Sequence, residues 1–269
     1  MINLIIITKK ERNTFFFHII FMLLYIMNIA IPSYNRYDTI ADKTLKFLLN
    51  MNDVKREDIT IFVANEEQQN LYKVYNPDYN VVIGEKGIRN IRNFITNYYP
   101  KDAYIISIDD DVDCLLSLGD TETNNLFIDA KREMDMTGIC MWGTNAIKNE
   151  YFMKGQDKIT HSLKFCIGVL YGYINKKLII PDDISIKVDY MNTIMYYDNY
   201  GGIIRFNHIY AKTKYYAKGG IGNKKERHHS NNIAVKYITE KYPQYATSKL
   251  RKDGVTLELR LNFRHRFKF

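Results

Sequence analysis

The sequence predicts an α/β domain with a mixed, mostly parallel sheet flanked by helices. Three observations carry this. Through the first half, short apolar runs alternate with segments of helical period. Those runs lack the polar alternation of a half-exposed strand, as expected for strands covered on both faces. A content of 46% hydrophobic and 14% aromatic residues over 269 positions supplies a sizeable core and excludes a disordered chain.

The elements follow in order. "MNIAIPS" is a strand ending at Pro32. "DTIADKTLKFLLNMN" is a helix, with Asp38 as cap and Ile40, Leu45, Leu48 and Leu49 on its buried side. "DITIFVAN" is a strand, "EEQQNLYKVY" a short helix and "YNVVIG" a third strand. "GIRNIRNFITNYYP" places Ile88, Ile91, Phe94, Ile95 and Tyr98 at helical spacing before Pro100. "AYIISIDDD" is a fourth strand. The second half is more mixed. "ICMWGTN", "SLKFCIGVLYGYIN" and "IIRFNHIYAKT" are strands, with His208 on the last expected to be structural. "DYMNTIMYYDNYGG" is a helix ended by Gly201, and "NNIAVKYITEKYP" a short helix. The tail alternates, with Leu257, Leu259, Leu261, Phe263 and Phe267 on one face and Arg260, Arg264, Arg266 and Lys268 on the other. No repeat or low-complexity linker divides this region, so residues 27–269 are expected to be one domain.

Residues 1–26 are set apart as an apolar extension. The run from Phe15 to Ile31 borders on membrane-span length, yet no linker separates it from the first strand, and Met27 stands directly before that strand. A misassigned start is the preferred reading, and a membrane anchor the alternative. The net charge of +8 suits an anionic partner. Three cysteines, Cys114, Cys140 and Cys166, with no CxxC spacing, suggest neither a disulfide framework nor a zinc site and fit a reducing compartment.

The chemistry concentrates after the fourth strand, where Asp109, Asp110, Asp111 and Asp113 crowd together. Ligands of open parallel sheets bind beyond the carboxyl ends of strands. Carboxylates one residue apart there suit a hard divalent cation, which would relieve their repulsion and in turn hold phosphates. A calcium loop of EF-hand type fits poorly, because Cys114 takes the position that needs glycine and the preceding segment is a strand. Other strand ends are polar in a matching way. "PSYNR" offers Tyr34 for stacking and Arg36 for a phosphate. In "GEKGIRNIRNF", Gly84 and Gly87 bracket a turn into a helix whose first amides favour anions, and Arg89 and Arg92 follow three apart.

Taken in order, "IAIPSYNR", "ITIFVANEEQ", "VVIGEKGIRNIRNFI" and "YIISIDDDV" resemble a nucleotide-sugar glycosyltransferase of GT-A fold, with "DDD" where that fold has its DxD motif. The chain most resembles the TET-associated glycosyltransferases of phages and large DNA viruses, over roughly residues 27–230. That family is proposed to sugar-modify hydroxymethylated pyrimidines in DNA. The resemblance implies a metal-dependent hexosyl transfer from a nucleotide-sugar, UDP-sugar foremost, with Mn²⁺ or Mg²⁺ as cofactor. Asp109 and Asp111 would hold the metal and the sugar diphosphate, with Asp110 near the sugar or ribose. Pro32, Ser33, Tyr34 and Arg36 would line the nucleotide, Glu66 would sit by the base, and Arg89, Asn90 and Arg92 would lie near the donor sugar or phosphates.

An inverting transfer needs a carboxylate base near the acceptor hydroxyl. Asp189, at the start of the helix in "KVDYMNTIMYYDNYGG", is the candidate, with Asp182 and Asp183 as alternatives. The segment "KGGIGNKKERHH" offers Lys218, Lys224, Lys225 and Arg227 to the diphosphate or to a DNA acceptor, and His228 or His229 as a third metal ligand. DNA would be gripped at its phosphates by this segment and by the Arg260–Lys268 face, and a base inside a duplex would have to be flipped out. The expected setting is cytoplasmic, in the cytoplasm or nucleus of a host if the source is viral, with no membrane partner. Two other readings stay open. One is a glycan or protein glycosyltransferase, and the other a non-catalytic nucleotide- or DNA-binding protein of the same fold.

Overall fold

The computed structural model describes residues 26–119, 122–149, 153, 156–213 and 224–263. Among them, β1 (Met27–Pro32), β2 (Ile59–Val63), β3 (Asn80–Ile83) and β4 (Tyr104–Ile108) form a parallel block in the order β3-β2-β1-β4. These strands coincide with the four predicted ones. The side-chain period of two divides them between two cores. Ile29, Ile31, Ile106 and Ile108 face one core, whereas Ala30 and Ile105 face the other. The first core is closed by α1 (Thr44–Leu49), α2 (Glu66–Tyr75) and α4 (Leu126–Thr137). The second is closed by α3 (Ile88–Tyr98), α5 (Val188–Tyr200) and α6 (Lys224–Lys241).

The sheet continues from β4 through β8 (Leu170–Ile174), β6 (Met141–Asn145) and β9 (Ile204–Thr213) to β5 (Val112–Ser117). Here β4–β8, β8–β6 and β9–β5 are antiparallel and β6–β9 is parallel. A short strand, β7 (Ile159–Thr160), also pairs with β9. The hairpin of β10 (Ala246–Leu250) and β11 (Leu257–Leu261) stands apart from this sheet. Its Leu259 and Leu261 share the second core with Val235 and Ile238 of α6.

Three predicted elements differ. The helix expected from Asp38 is split into a 3₁₀ turn, Ile40–Asp42, and α1. Lys43 leaves helical geometry between them (φ −113°, ψ −107°), and the side chain of fully buried Thr44 is used elsewhere. Its hydroxyl donates to Asp109 O at 2.7 Å and accepts from Val112 N at 2.9 Å, fastening the turn between β4 and β5. Asp38 caps nothing and is exposed, and Leu49 is exposed rather than buried. The strand expected from Ser162 begins only at Leu170, because residues 161–169 cross the sheet face instead of joining an edge. In the tail, Phe263 is exposed, so burial of the alternating face stops at Leu261. Arg264, Arg266, Phe267 and Lys268 lie outside the described residues, as do residues 1–25, which bear most of the apolar extension. Among the described residues no helix is long and apolar enough to cross a membrane.

Two helix ends are secured from a distance. No side chain on its own cap residue, Asn125, bonds the start of α4; instead Asp53 Oδ2 accepts from Ile128 N at 2.9 Å. At the far end of α3, Asn175 Nδ2 donates to the carbonyls of Thr96, Tyr99 and Pro100, and Lys177 Nζ donates to Thr96 O at 2.8 Å. A cation at a helix C-terminus also complements the macrodipole. This fixes α3 so that its first turn meets the carboxyl ends of the strands.

Candidate functional site

The chain leaves β1 toward β2 on one side, while β4 docks on the other, so a crevice opens beyond the ends of β1 and β4. The loop after β1 is built by side chains. Ser33 Oγ lies 2.5 Å from Tyr72 Oη and donates to Asp110 Oδ2 at 2.5 Å. Tyr72 Oη accepts from Arg36 N at 2.9 Å. Asn35, in the left-handed region at φ 55°, donates from its backbone N–H to Gln68 Oε1 and accepts at Oδ1 from Gln68 Nε2, both at 2.8 Å. Asn65 caps α2 by accepting from Gln68 N at 2.9 Å. Thus α2 holds the β1 loop through Gln68 and Tyr72, one helical turn apart on one face. Tyr34 remains exposed beside the Lys86 ammonium, 5.9 Å from its ring centroid. Pro32 closes β1, and Glu66 is exposed on the first turn of α2.

The acidic run diverges because strand alternation carries on into the turn. Asp109 follows Ser107 on the face of α3, where Arg92 Nη2 donates to Asp109 Oδ1 and to Gly168 O, both at 3.0 Å. Arg92 is buried, bonds Ser107 Oγ as well, and lies over the Tyr171 ring, 5.3 Å from its centroid. Asp110 turns back to Ser33, and its carboxyl is raised mainly by burial. Asp111 accepts from Thr213 Oγ1 at the end of β9 and lies 3.8 Å from Arg36 Nη1. Asp113 pairs with Lys43. The mutual repulsion expected to require a cation is therefore met in large part by the protein's own partners. Asp109 keeps the most strain: burial pushes its carboxyl up to about 7, Arg92 opposes this, and Asp110, Asp111 and Asp189 add to it.

A cavity of about 310 Å³ opens against Asp109. Arg92, Asp109, Tyr171, Lys187 and Asp189 line it together with apolar side chains, among them Ile88, Ile167 and Val188. Asp189 arrives in the first turn of α5, after Lys187 in the left-handed region (φ 63°), and burial raises its carboxyl. Gly168 lies between Asp189 and Arg92: a Cβ there would meet Asp189 Cβ at 3.7 Å and Arg92 Nη2 at 3.8 Å, both ordinary contact distances.

The structure therefore brings Arg92, Asp109 and Asp189 together, with Ser33, Asp110, Asp111 and Arg36 adjoining. It directs others away. Arg89 Nη1 donates to Asp182 Oδ1 at 2.7 Å, and Arg89 Nε to Asn90 Oδ1 at 2.9 Å, on the rim. Asp182 and Asp183 are exposed and do not line the cavity. His228 Nδ1 is 2.7 Å from Thr256 Oγ1 in the hairpin loop, and His229 is exposed. Among the described residues no three His, Cys, Asp or Glu side chains form a metal-holding group. Arg92 engages Asp109 Oδ1 and Thr213 engages Asp111 Oδ1, and the second oxygens of the two acids, with Asp111 Oδ2 3.8 Å from Arg36 Nη1, still suit a hard divalent ion. Lys218 lies outside the described residues; Lys224, Lys225 and Arg227 open α6, and their side chains lie outside them too. Arg260 is exposed and donates to Glu258 Oε1 at 3.0 Å, which offsets its charge. His208 is buried, with Nδ1 3.0 Å from Lys158 O, in keeping with a structural role.

No family model matches the sequence, and none of the curated proteins does. Among solved structures, residues 1–349 of S. aureus TarS in complex with UDP-GlcNAc align with a TM-score of 0.51. Identity is 12%, over 81% of this chain and 72% of that one. Mannosyltransferase PcManGT from Pyrobaculum calidifontis, in complex with GDP-Man and Mn²⁺, aligns at a TM-score of 0.47 and 13% identity over 81% and 63% of the two chains. Glucosyl-3-phosphoglycerate synthase from Mycobacterium tuberculosis, with Mn²⁺, UDP and glucosyl-3-phosphoglycerate, gives 0.46 and 9% over 88% and 86%. At such identity the likeness to TarS establishes the fold, which is the mixed α/β, GT-A-like fold that the sequence predicts.

Proposed function

We propose that this protein is a metal-dependent glycosyltransferase, moving a sugar from a nucleotide-sugar to a hydroxyl acceptor. The observation that carries the reading is the convergence of Asp109, Arg92 and Asp189 on one cavity beside the β1 loop. The fold shared with a structure that holds UDP-GlcNAc supports it.

The nucleotide is assigned to the crevice beyond β1, with the base against Tyr34 and Lys86 and the ribose near Ser33 and Asp110. Asp109 and Asp111 would hold a divalent cation, Mn²⁺ or Mg²⁺, which when bound supplies positive charge to the diphosphate and its departing oxygen. Arg36, beside Asp111, adds charge on the same side. The sugar then projects into the cavity. Asp189 is the candidate base: burial raises its carboxyl, which makes it the stronger acceptor for the acceptor's proton at a carboxylate oxygen. Arg92 opposes the effect of burial on the Asp109 carboxyl and holds Gly168 in place. For the acceptor we favour a hydroxymethylated pyrimidine in DNA, on the family resemblance and the +8 charge. A protein or glycan hydroxyl is the second reading.

The test is UDP-glucose turnover with Mn²⁺, with and without hydroxymethylated DNA, for wild type and Asp111→Ala. Sugar on the DNA, lost in the variant and on chelation with EDTA, is the expected outcome. Metal-dependent hydrolysis without DNA modification would discard the acceptor and keep the transferase. Silence with a panel of nucleotide-sugars, and no UDP binding, would overturn the reading in favour of a non-catalytic binding protein.

A further inference from the structure

Ile167 and Gly168 line the cavity, at the end of a segment, residues 165–168, that is not part of any strand or helix. The segment is suspended between two buried arginines. Arg92 donates to Gly168 O at 3.0 Å from one side. From the other, Arg205 of β9 donates through Nη1 to Phe165 O, and through Nη2 to Asn145 Oδ1 at 2.8 Å. Between them the segment drops onto the sheet at Gly143, the cross-strand partner of Arg205, where a Cβ would lie 2.5 Å from Cys166 Sγ.

Arg205 is an unusual residue for this place. It is only 7% exposed, no carboxylate pairs with it among the described residues, and its Nε has no hydrogen-bond partner. A buried cation without a counter-ion is costly, and an apolar side chain of similar length would serve packing as well or better. What Arg205 supplies that an apolar residue cannot is the bond to Phe165 O. That bond is the head of a chain leading to the candidate base. Phe165 stacks on Tyr190, with ring centroids 4.0 Å apart. Cys166 N donates to Thr193 Oγ1 at 3.2 Å, and Thr193 Oγ1 donates to Asp189 O at 2.8 Å. Both links end on the first turn of α5, which carries Asp189.

We infer that Arg205 is a positioning residue, which sets the cavity wall at Phe165–Gly168 and through it the placement of Asp189. This rests on the transferase reading for its kinetic consequence, but not for its structural one. Arg205 touches neither the β1 loop nor the acidic run, so nucleotide binding should not depend on it.

The experiment compares wild type with Arg205→Met and Arg205→Lys in the full chain. Three quantities are read: UDP affinity by calorimetry, alkylation of Cys166 by iodoacetamide with peptide mass spectrometry, and transfer or hydrolysis kinetics. Arg205→Met is expected to bind UDP within about 2-fold of wild type and to unfold at the same or a higher temperature. Its Cys166, fully buried in the wild type, should label at least ~10-fold faster, while buried Cys140 keeps its rate. Its kcat should fall by about 10- to 100-fold, as misplacement of a reacting group does. Arg205→Lys, which keeps one donor, should recover part of both losses. Unchanged Cys166 labelling would overturn the inference, and so would faster labelling with unchanged kcat. A silent wild-type enzyme would overturn the transferase reading alone, because labelling and UDP affinity still test the clamp. If Arg205→Met does not fold, Arg205→Lys carries the same three comparisons.

Discussion

The two sides of the crevice are built differently. On the β1 side, polar side chains bond to one another: Ser33 to Tyr72 and Asp110, and Asn35 to Gln68. On the α5 side, arginines hold main-chain carbonyls of an irregular segment, and the rest is apolar contact. The first kind of wall is fixed locally, and each bond can be removed with a local effect. The second is a suspended backbone, so a change at one end is transmitted along it. A rigid wall suits a ligand part that must always be met in one way, and an adjustable wall suits the reacting end.

The largest effect should come from the α5 side. Asp189→Asn is expected to lower kcat by about 10²- to 10⁴-fold, with UDP affinity nearly unchanged. Stopped assays beside calorimetry would show it; retained turnover would remove Asp189 as the base. Next come two glycines that make room for a neighbour on opposite faces of the sheet. At Gly172 a Cβ would stand 2.2 Å from Trp142 Nε1, inside the core. Gly172→Ala should cost about 2–3 kcal/mol of stability in a urea titration. Gly143→Ala should cost less, about 1 kcal/mol, because the segment bearing Cys166 can lift, and it should slow transfer instead. Equal stability losses would show that the wall is as rigid as the core.

Arg92→Met leaves Asp109 without its cation. A loss of about 1–3 kcal/mol is expected, below that of a fully enclosed pair because 36% of the Asp109 side-chain surface is open to the cavity. The double variant Arg92→Met/Asp109→Asn should regain most of it, as a thermal melt would reveal. The smallest effect is on the β1 side. Ser33→Ala removes one hydroxyl between Tyr72 and Asp110 and should weaken UDP binding by about 3- to 10-fold, or ~1 kcal/mol. A loss confined to kcat would break the proposed division of labour.

The parallel block was readable because its strands are apolar throughout and its helices amphipathic. The acidic turn at the end of β4 was readable for a related reason: carboxylates at a strand end are chemically conspicuous. Asp189 was singled out from its place at a helix start, and it lines the cavity. The partners that shape the site were harder to see. Gln68 and Tyr72 stand four apart on α2, and a polar pair on the buried face of a helix was the available signal. Thr44 and Thr213 bond the acidic run from 65 and 102 residues away, and no local pattern marks such a bond. The wall at 165–168 was read as strand because Phe165, Cys166 and Ile167 are apolar, though they pack onto the sheet's face and not into its edge. Arg205 sits in a run of strand formers, where periodicity says nothing of a lone buried charge.

The partners of the acidic run also set an order of assembly. Asp109 meets Arg92 across 17 residues of chain, whereas Asp111 meets Thr213 across 102. Closing the longer loop costs about 1.6 kcal/mol more in chain entropy, by the logarithmic dependence on length. On a ribosome, the first aspartate would find its arginine as soon as β4 emerged, while the third would wait for β9. A nascent chain would thus hold Asp109, Asp110 and Asp113 beside Arg92, Ser33 and Lys43 before Asp111 could meet Thr213, and an isolated fragment ending before β9 should fold its first aspartate and not its third.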